Sequence, residues 1–169
     1  IRRSMSSSFK LGMLLRNLKL DDIDRRILLE LQSNARISNV ELSKLVGLST
    51  SPCLRRVKAL EAHGVIEGYV SLLNQSAVGY PVSVFVNVTL ERQVETSLEH
   101  FEAAIKKRPE VVECYLMTGD ADYLLRVVTK DLESYERFLV DHLTRIPGVS
   151  SIKSSFSLKQ VSFRTALPL

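Results

Sequence analysis

The chain has 169 residues, 45% of them hydrophobic and 25% charged, which is the balance of an ordinary folded protein with room for two small domains. No apolar run approaches the roughly 20 residues of a membrane-crossing helix, and no signal-peptide core opens the sequence, so a cytoplasmic protein with no membrane partner is expected. The two cysteines, Cys53 and Cys114, form no Cys-x-x-Cys pair and fit free thiols in a reducing compartment.

The net charge of +4 is unevenly spread. Residues 1–19 carry five basic residues and no acid, residues 20–64 seven basic and six acidic, and residues 65–169 eleven basic and thirteen acidic. The positive excess therefore sits at the N-terminal end, as expected where a chain meets phosphate. Residues 20–64 are nearly neutral, so charge alone is a weak argument for nucleic-acid binding.

In chain order, residues 1–19 read as a basic flexible tail, serine-rich at Ser6-Ser7-Ser8, in which residues 11–18 turn helical only on contact with a partner. A first helix is predicted over about 21–33, opened by Asp21 and Asp22 and carrying Ile23, Ile27, Leu28 and Leu31 at helical spacing. Ser38-Asn39-Val40-Glu41 is a capping box that starts a short second helix, and Gly47 suits its left-handed end. Ser49-Thr50-Ser51-Pro52 then reads as hydroxyl caps with a first-turn proline, starting a third helix that Gly64 ends. Residues 65–72 read as a short hairpin or wing, and 73–81 as a linker.

Residues 82–169 change period. A strand over 82–90, a helix over 95–107, strands over 111–118 and 123–129 joined by a tight turn at 119–122, a helix over 132–145 and a last strand over 149–158 give the order β-α-β-β-α-β. The expected fold class is α+β. A winged helix-turn-helix over 20–72 precedes a ferredoxin-like βαββαβ domain over 82–169, with both helices on one face of its antiparallel sheet. The bare face needs a cover, and a second copy of the domain, giving a homodimer, supplies one.

Within the third helix, Cys53, Leu54, Val57 and Leu60 are expected to face the core, leaving Ser51, Arg55, Lys58, Ala59 and Ala62 outward. Arg55 can donate two hydrogen bonds to a guanine edge. Arg56 and Lys58 are placed to hold phosphates. Ser38, Ser49, Thr50, Ser51 and Pro52 mark helix starts, where free amides and hydroxyls suit a phosphate.

Several segments resemble the Lrp/AsnC feast/famine transcriptional regulators, nearer to the leucine-responsive branch than to distant archaeal members. They are Leu20-Asp21-Asp22-Ile23-Asp24, residues 37–43, residues 47–57, Glu67-Gly68-Tyr69, Gly119-Asp120-Ala121-Asp122-Tyr123-Leu124-Leu125 and Pro147-Gly148-Val149. The resemblance covers roughly residues 20–169. It implies a sequence-specific transcriptional regulator of amino-acid metabolism that binds double-stranded DNA, has its DNA binding or assembly modulated by a small amino-acid effector such as leucine, and assembles from dimers into a homo-octamer, a tetramer of dimers.

The residues offer candidates for that effector. Asp122 suits an ammonium group, the Gly119 amide and Thr118 a carboxylate, and Met117 or Tyr123 an apolar side chain. The resemblance places effectors around this hairpin, between dimers, where Ser154, Ser155 and Ser157 of a neighbouring subunit can contribute. No other cofactor is expected. His63, His100 and His142 lie on separate helices without metal-ligand spacing, and no catalytic pair or phosphate loop stands out, so no enzyme is expected.

Two other readings compete with this one. An amino-acid-sensing regulatory subunit would use its helix-turn-helix for protein contacts. An acylphosphatase-like enzyme would need an arginine within residues 74–81, which have none.

Overall fold

The computed structural model describes residues 19–169, so the expectations for the tail up to residue 18 lie outside the described residues. The chain divides into two compact units, one holding the helical residues up to Ser71 together with Ser162–Leu169, the other Leu72–Val161. Each is taken by itself.

The first unit contains α1 (Asp22–Ser33), α2 (Asn39–Val46) and α3 (Thr50–Ala62). Ile27 and Leu28 of α1, Leu42 and Val46 of α2, and Cys53 and Leu60 of α3 form one buried cluster. Burying a large aliphatic side chain stabilises by roughly 1.5–3 kcal/mol before chain entropy is counted, so these few residues hold the three helices together. Local signals set the boundaries. Asp21 caps α1, accepting from the Asp24 amide at 2.8 Å while the Asp24 carboxylate accepts from the Asp21 amide at 3.3 Å. Ser38 and Glu41 form the same reciprocal box on α2, at 3.1 and 3.2 Å.

Gly47 ends α2 in the left-handed region, with φ +73°, and the next amide, Leu48 N–H, donates back to Ser43 at 2.8 Å. A side chain at this φ costs about 1–2 kcal/mol, and no neighbour within 4 Å would crowd an added Cβ. Gly47→Ala should therefore lower the stability of the first unit by about that amount through backbone strain alone. Denaturant titration followed by helical circular dichroism measures it.

After α3, Gly64 turns the chain, and Val65 and Ile66 donate their amides to the Leu60 carbonyl at 2.9 and 3.3 Å while packing on the helical core. The hairpin expected over 65–72 is not paired in this structure: no described strand lies there. Tyr69 is tied instead to α3, its hydroxyl donating to Glu61 at 2.9 Å. Ser162–Leu169, expected with the βαββαβ domain, groups with the helices. The Gln32 side chain of α1 explains this, donating to the Leu167 carbonyl at 3.2 Å and accepting from its amide at 2.5 Å.

The second unit runs β1 (Val82–Leu90), α4 (Glu95–Ile105), β2 (Val111–Leu116), β3 (Tyr123–Thr129), α5 (Leu132–Asp141), a single 3-10 turn (Leu143–Arg145) and β4 (Val149–Phe156). The sheet order is β2-β3-β1-β4 with every neighbouring pair antiparallel, the split βαβ topology expected. Alternation decides the faces. Val84, Val86, Val88 and Leu90 of β1 and Tyr123, Leu125 and Val127 of β3 are buried, packing with Phe101 and Ile105 of α4 and Tyr135 and Phe138 of α5. Phe85, Asn87 and Thr89 of β1, with Leu124, Arg126 and Val128 of β3, face the other way.

The residues expected to be a linker are folded into this unit. Asn74 caps a turn by accepting from the Ala77 amide at 3.0 Å, and Gln75 accepts from Arg126 of β3 at 3.0 Å.

Candidate nucleic-acid interface and ligand site

α3 is the element whose exposed face decides what the first unit can bind. At about 100° per residue, Cys53, Val57 and Leu60 define an inward stripe, and the structure adds Arg56 to it rather than Leu54. Leu54 is 42% exposed, whereas Cys53 is fully buried. The expected inward position of Leu54 is thus corrected: the stripe is centred one step to the other side of Cys53, where spacings of three and four residues reach Arg56, Val57 and Leu60.

Arg56 is accordingly engaged inside the domain. One guanidinium nitrogen, Nη1, lies 2.8 Å from both the Asp21 and the Asp24 carboxylates of α1. Hydrogen bonding to Asp24 and then Asp21 pushes the already high guanidinium value up. Arg56, expected to hold a phosphate, is thus ion-paired with the cap of α1 through one guanidinium nitrogen, with a third of its side chain exposed.

Asp21 is held below the usual carboxylate range chiefly by the Asp24 amide; desolvation opposes this, and the Arg56 hydrogen bond and charge add to the lowering. A carboxyl depressed in the folded state stabilises it above the unfolded value, and that stability disappears as pH falls through the lower folded value. Thermal unfolding of the first unit should shift to lower temperature below about pH 4, and Asp21→Asn should flatten that dependence. An identical acid slope in the variant would show that Asp21 does not carry it.

The outward stripe is open. Ser51, Arg55, Lys58 and Ala62 are all exposed, and neither Arg55 nor Lys58 forms an ion pair with a described residue. At the start of α3, Ser49 occupies the cap position with no side-chain cap bond, correcting the expected hydroxyl cap. Orientation is supplied by Asn39 of α2, whose side-chain amide donates to the Thr50 carbonyl at 2.9 Å. Sequence reasoning missed Asn39, since nothing in a capping box predicts that its second residue reaches another helix. Ser49, Thr50 and Ser51 stand exposed at a helix N-terminus, and Pro52 is half-buried beneath them. Ser38 is committed to its capping box on α2, its hydroxyl also donating to the Glu41 carboxylate at 2.9 Å.

In the second unit, the expected ligand residues are only partly brought together. The connection from β2 to β3 is a six-residue loop rather than a tight turn, closed by the Met117 amide donating to the Asp122 carbonyl at 2.8 Å. Gly119 adopts φ +123°, and Met117, Thr118 and Gly119 are exposed on the loop.

Asp122 is 4% exposed, and its carboxylate accepts from the Leu90 amide at 2.6 Å and from the Gln93 side chain at 2.5 Å. It takes the place of a ladder partner for β1 beyond the end of β3. The carboxylate expected to meet an ammonium group is thus bound within the chain, each oxygen accepting one hydrogen bond.

Tyr123 points to the helices, 1% exposed and stacked 4.5 Å from Phe101, with its hydroxyl donating to Glu102 at 3.2 Å. Burial, then the Glu102 charge, pushes its phenol well up. It is core, and no wall for a ligand on the loop. Ser154 and Ser155 lie on opposite faces of β4. Ser154 meets the Tyr135 hydroxyl at 2.5 Å on the helix side, and Ser155 stands opposite Phe85 on the bare side. No cluster of metal-ligating residues occurs among the described residues.

This architecture matches known proteins along nearly its whole described length. Residues 20–67 match the family model described as a winged helix-turn-helix DNA-binding domain, and residues 83–167 the Lrp/AsnC ligand binding domain. The Bkd operon transcriptional regulator of Pseudomonas aeruginosa is 49% identical over 89% of this chain and 99% of its own length. The leucine-responsive regulatory protein of Escherichia coli K12 is 46% identical over 84% of this chain and 87% of its own. Among solved structures, a transcriptional regulator of Neisseria meningitidis in complex with L-Met superposes with a TM-score of 0.84 at 41% identity, covering 89% of this chain and 97% of that one. Escherichia coli AsnC superposes with a TM-score of 0.82 at 26% identity, over 89% and 100% of the two chains.

The chain belongs to the Lrp/AsnC family of transcriptional regulators, α+β proteins in which a winged helix-turn-helix DNA-binding domain precedes a ligand-binding domain.

Proposed function

We propose that this regulator reads double-stranded DNA through α3 and answers to a small amino acid bound by its second unit. The observation that carries the DNA reading is the division of α3: Arg56 is ion-paired with two carboxylates at the cap of α1, while Ser51, Arg55 and Lys58 form an exposed outer stripe whose two cations are unpaired among the described residues. Arg55 reads a base edge, Lys58 and the exposed start of the helix hold phosphates, and Arg56 keeps α3 against α1. Band-shift titration over a salt series tests it. Affinity should fall linearly with the logarithm of salt concentration, with a slope set by the phosphates engaged. Lys58→Ala should lower that slope by about one, whereas Asp21→Asn should not change it.

The amino-acid reading rests on the ligand-binding family of residues 83–167 and on the L-Met complex of the Neisseria relative. Of the candidate ligand residues, Met117, Thr118 and Gly119 stand exposed on the loop, with Ser155 of a neighbouring subunit as a further contact. The bare sheet face carries Phe85, 38% exposed, and Tyr115, 50% exposed, and a second copy of the chain is the cover proposed for it. Dimers would then assemble into an octamer whose equilibrium the amino acid shifts by its differential affinity for the two states. A thermal-shift screen of the twenty amino acids beside size-exclusion chromatography checks both. A monomer in solution would overturn the assembly, and no shift with any amino acid would overturn the effector.

No described helix is long and apolar enough to cross a membrane.

A further inference from the structure

Of the large apolar side chains on α3, Val57 and Leu60 belong to the core of the first unit, and Leu54 alone stands 42% exposed. An isolated exposed leucine is ordinary on a protein surface. This one shares its helix face with Ser51, Arg55 and Lys58, three residues after the serine and four before the lysine. At about 100° per residue, Ser51, Lys58 and Ala62 form the midline of that face, with Leu54 about 60° to one side of Ser51 and Arg55 about 40° to the other.

The helix is not free to roll and bury it. Cys53, just before Leu54, is fully buried, and its amide donates to the Ser49 carbonyl at 3.2 Å. Arg56, two residues on, is paired with Asp21 and Asp24 at 2.8 Å. One turn earlier, the Asn39 side chain holds the Thr50 carbonyl at 2.9 Å. Turning Leu54 inward would swing Arg56 off both carboxylates and lift Cys53 out of the core. The packing of the first unit therefore keeps an apolar side chain on the face that is open to DNA.

We propose that Leu54 is a specificity-determining residue that packs on the C5-methyl group of a thymine in the major groove. The inference rests on the DNA reading above and adds a second base to the one assigned to Arg55. Thymine is the one base that presents a methyl group in that groove, and apolar side chains recognise it by contact. Leucine neither donates nor accepts a hydrogen bond, so a polar base edge set against it loses water without gaining a partner. The same side chain thus favours thymine and disfavours the other bases at its position. Leu54 and Arg55 lie on opposite sides of the midline, so the two read different bases.

Selection from a random duplex library with the full chain supplies the target for the test. Each thymine of the selected half-site is then replaced by deoxyuridine, which keeps every hydrogen-bonding group and removes only the methyl. Fluorescence anisotropy should find one thymine whose replacement weakens wild-type binding about fourfold, the worth of one buried methyl-sized group. Leu54→Ala should be indifferent to uridine at that position, whereas Leu54→Met and Arg55→Ala should each keep the sensitivity. Leu54→Ala should also unfold at the wild-type temperature, since Leu54 lies outside the core. Wild-type binding that ignores uridine at every thymine overturns the inference, as does equal sensitivity in Leu54→Ala. A lowered unfolding temperature with the sensitivity intact would assign Leu54 to packing instead. In each of these cases, tight binding of the selected duplex leaves the DNA reading standing. Failure of the selection to enrich any duplex would remove that reading and this contact together.

Discussion

Asp122→Ala is expected to destabilise the second unit by about 3 kcal/mol, the cost of losing charge-assisted hydrogen bonds and stranding their donors. The Leu90 amide sits in a residue only 5% exposed and would lose its acceptor, and Gln93 would lose its anchor in the same step. Denaturant unfolding that follows the sheet signal measures the change. Asp122→Asn keeps one acceptor oxygen and should lose markedly less. A cost under about 1 kcal/mol for the alanine variant would mean that the end of β1 finds other partners. The pair also guards against a misreading: lost amino-acid binding in the alanine variant would report a disordered β2–β3 connection, whereas the asparagine variant reports the charge.

Arg55→Ala should reduce the ratio of target to random DNA affinity by roughly five- to a hundred-and-fiftyfold, the range of a bidentate contact with a guanine edge worth about 1–3 kcal/mol. Arg55 is exposed on α3, away from Cys53, Val57 and Leu60, so its truncation should leave folding untouched. Equal loss of affinity on both DNAs would make Arg55 a phosphate contact. An unchanged ratio would move base recognition to Ser51, Leu54 or Lys58.

Much of the fold was legible because its signals are local. The Ser38–Glu41 box, Gly47 and the alternation of β1 each act within a few residues, and the observed elements start and stop where they point. The site was legible as a helix and much less so as a set of side chains. Leu54 and Arg56 are two residues apart, and hydrophobicity alone assigns the inward position to leucine. The structure gives it to arginine because Asp21 and Asp24, more than thirty residues earlier, are there to receive the guanidinium.

The partners of Asp122 were hidden for a related reason. Its neighbours in sequence form a loop, but it is held by Leu90 at the end of β1 and by Gln93 just beyond it, and no spacing rule links them. The engagement of Gln32 with Leu167 spans 135 residues and was equally invisible.

The two sides of α3 also differ in how freely they can change. Cys53, Arg56, Val57 and Leu60 bind the helix to its own domain, while Ser51, Leu54, Arg55, Lys58 and Ala62 are turned from the core. A library randomised at those five outer positions, with Arg56 held constant, should yield mostly folded proteins with altered operator preference. The same separation lets a duplicated gene drift toward a new promoter without first passing through an unstable intermediate.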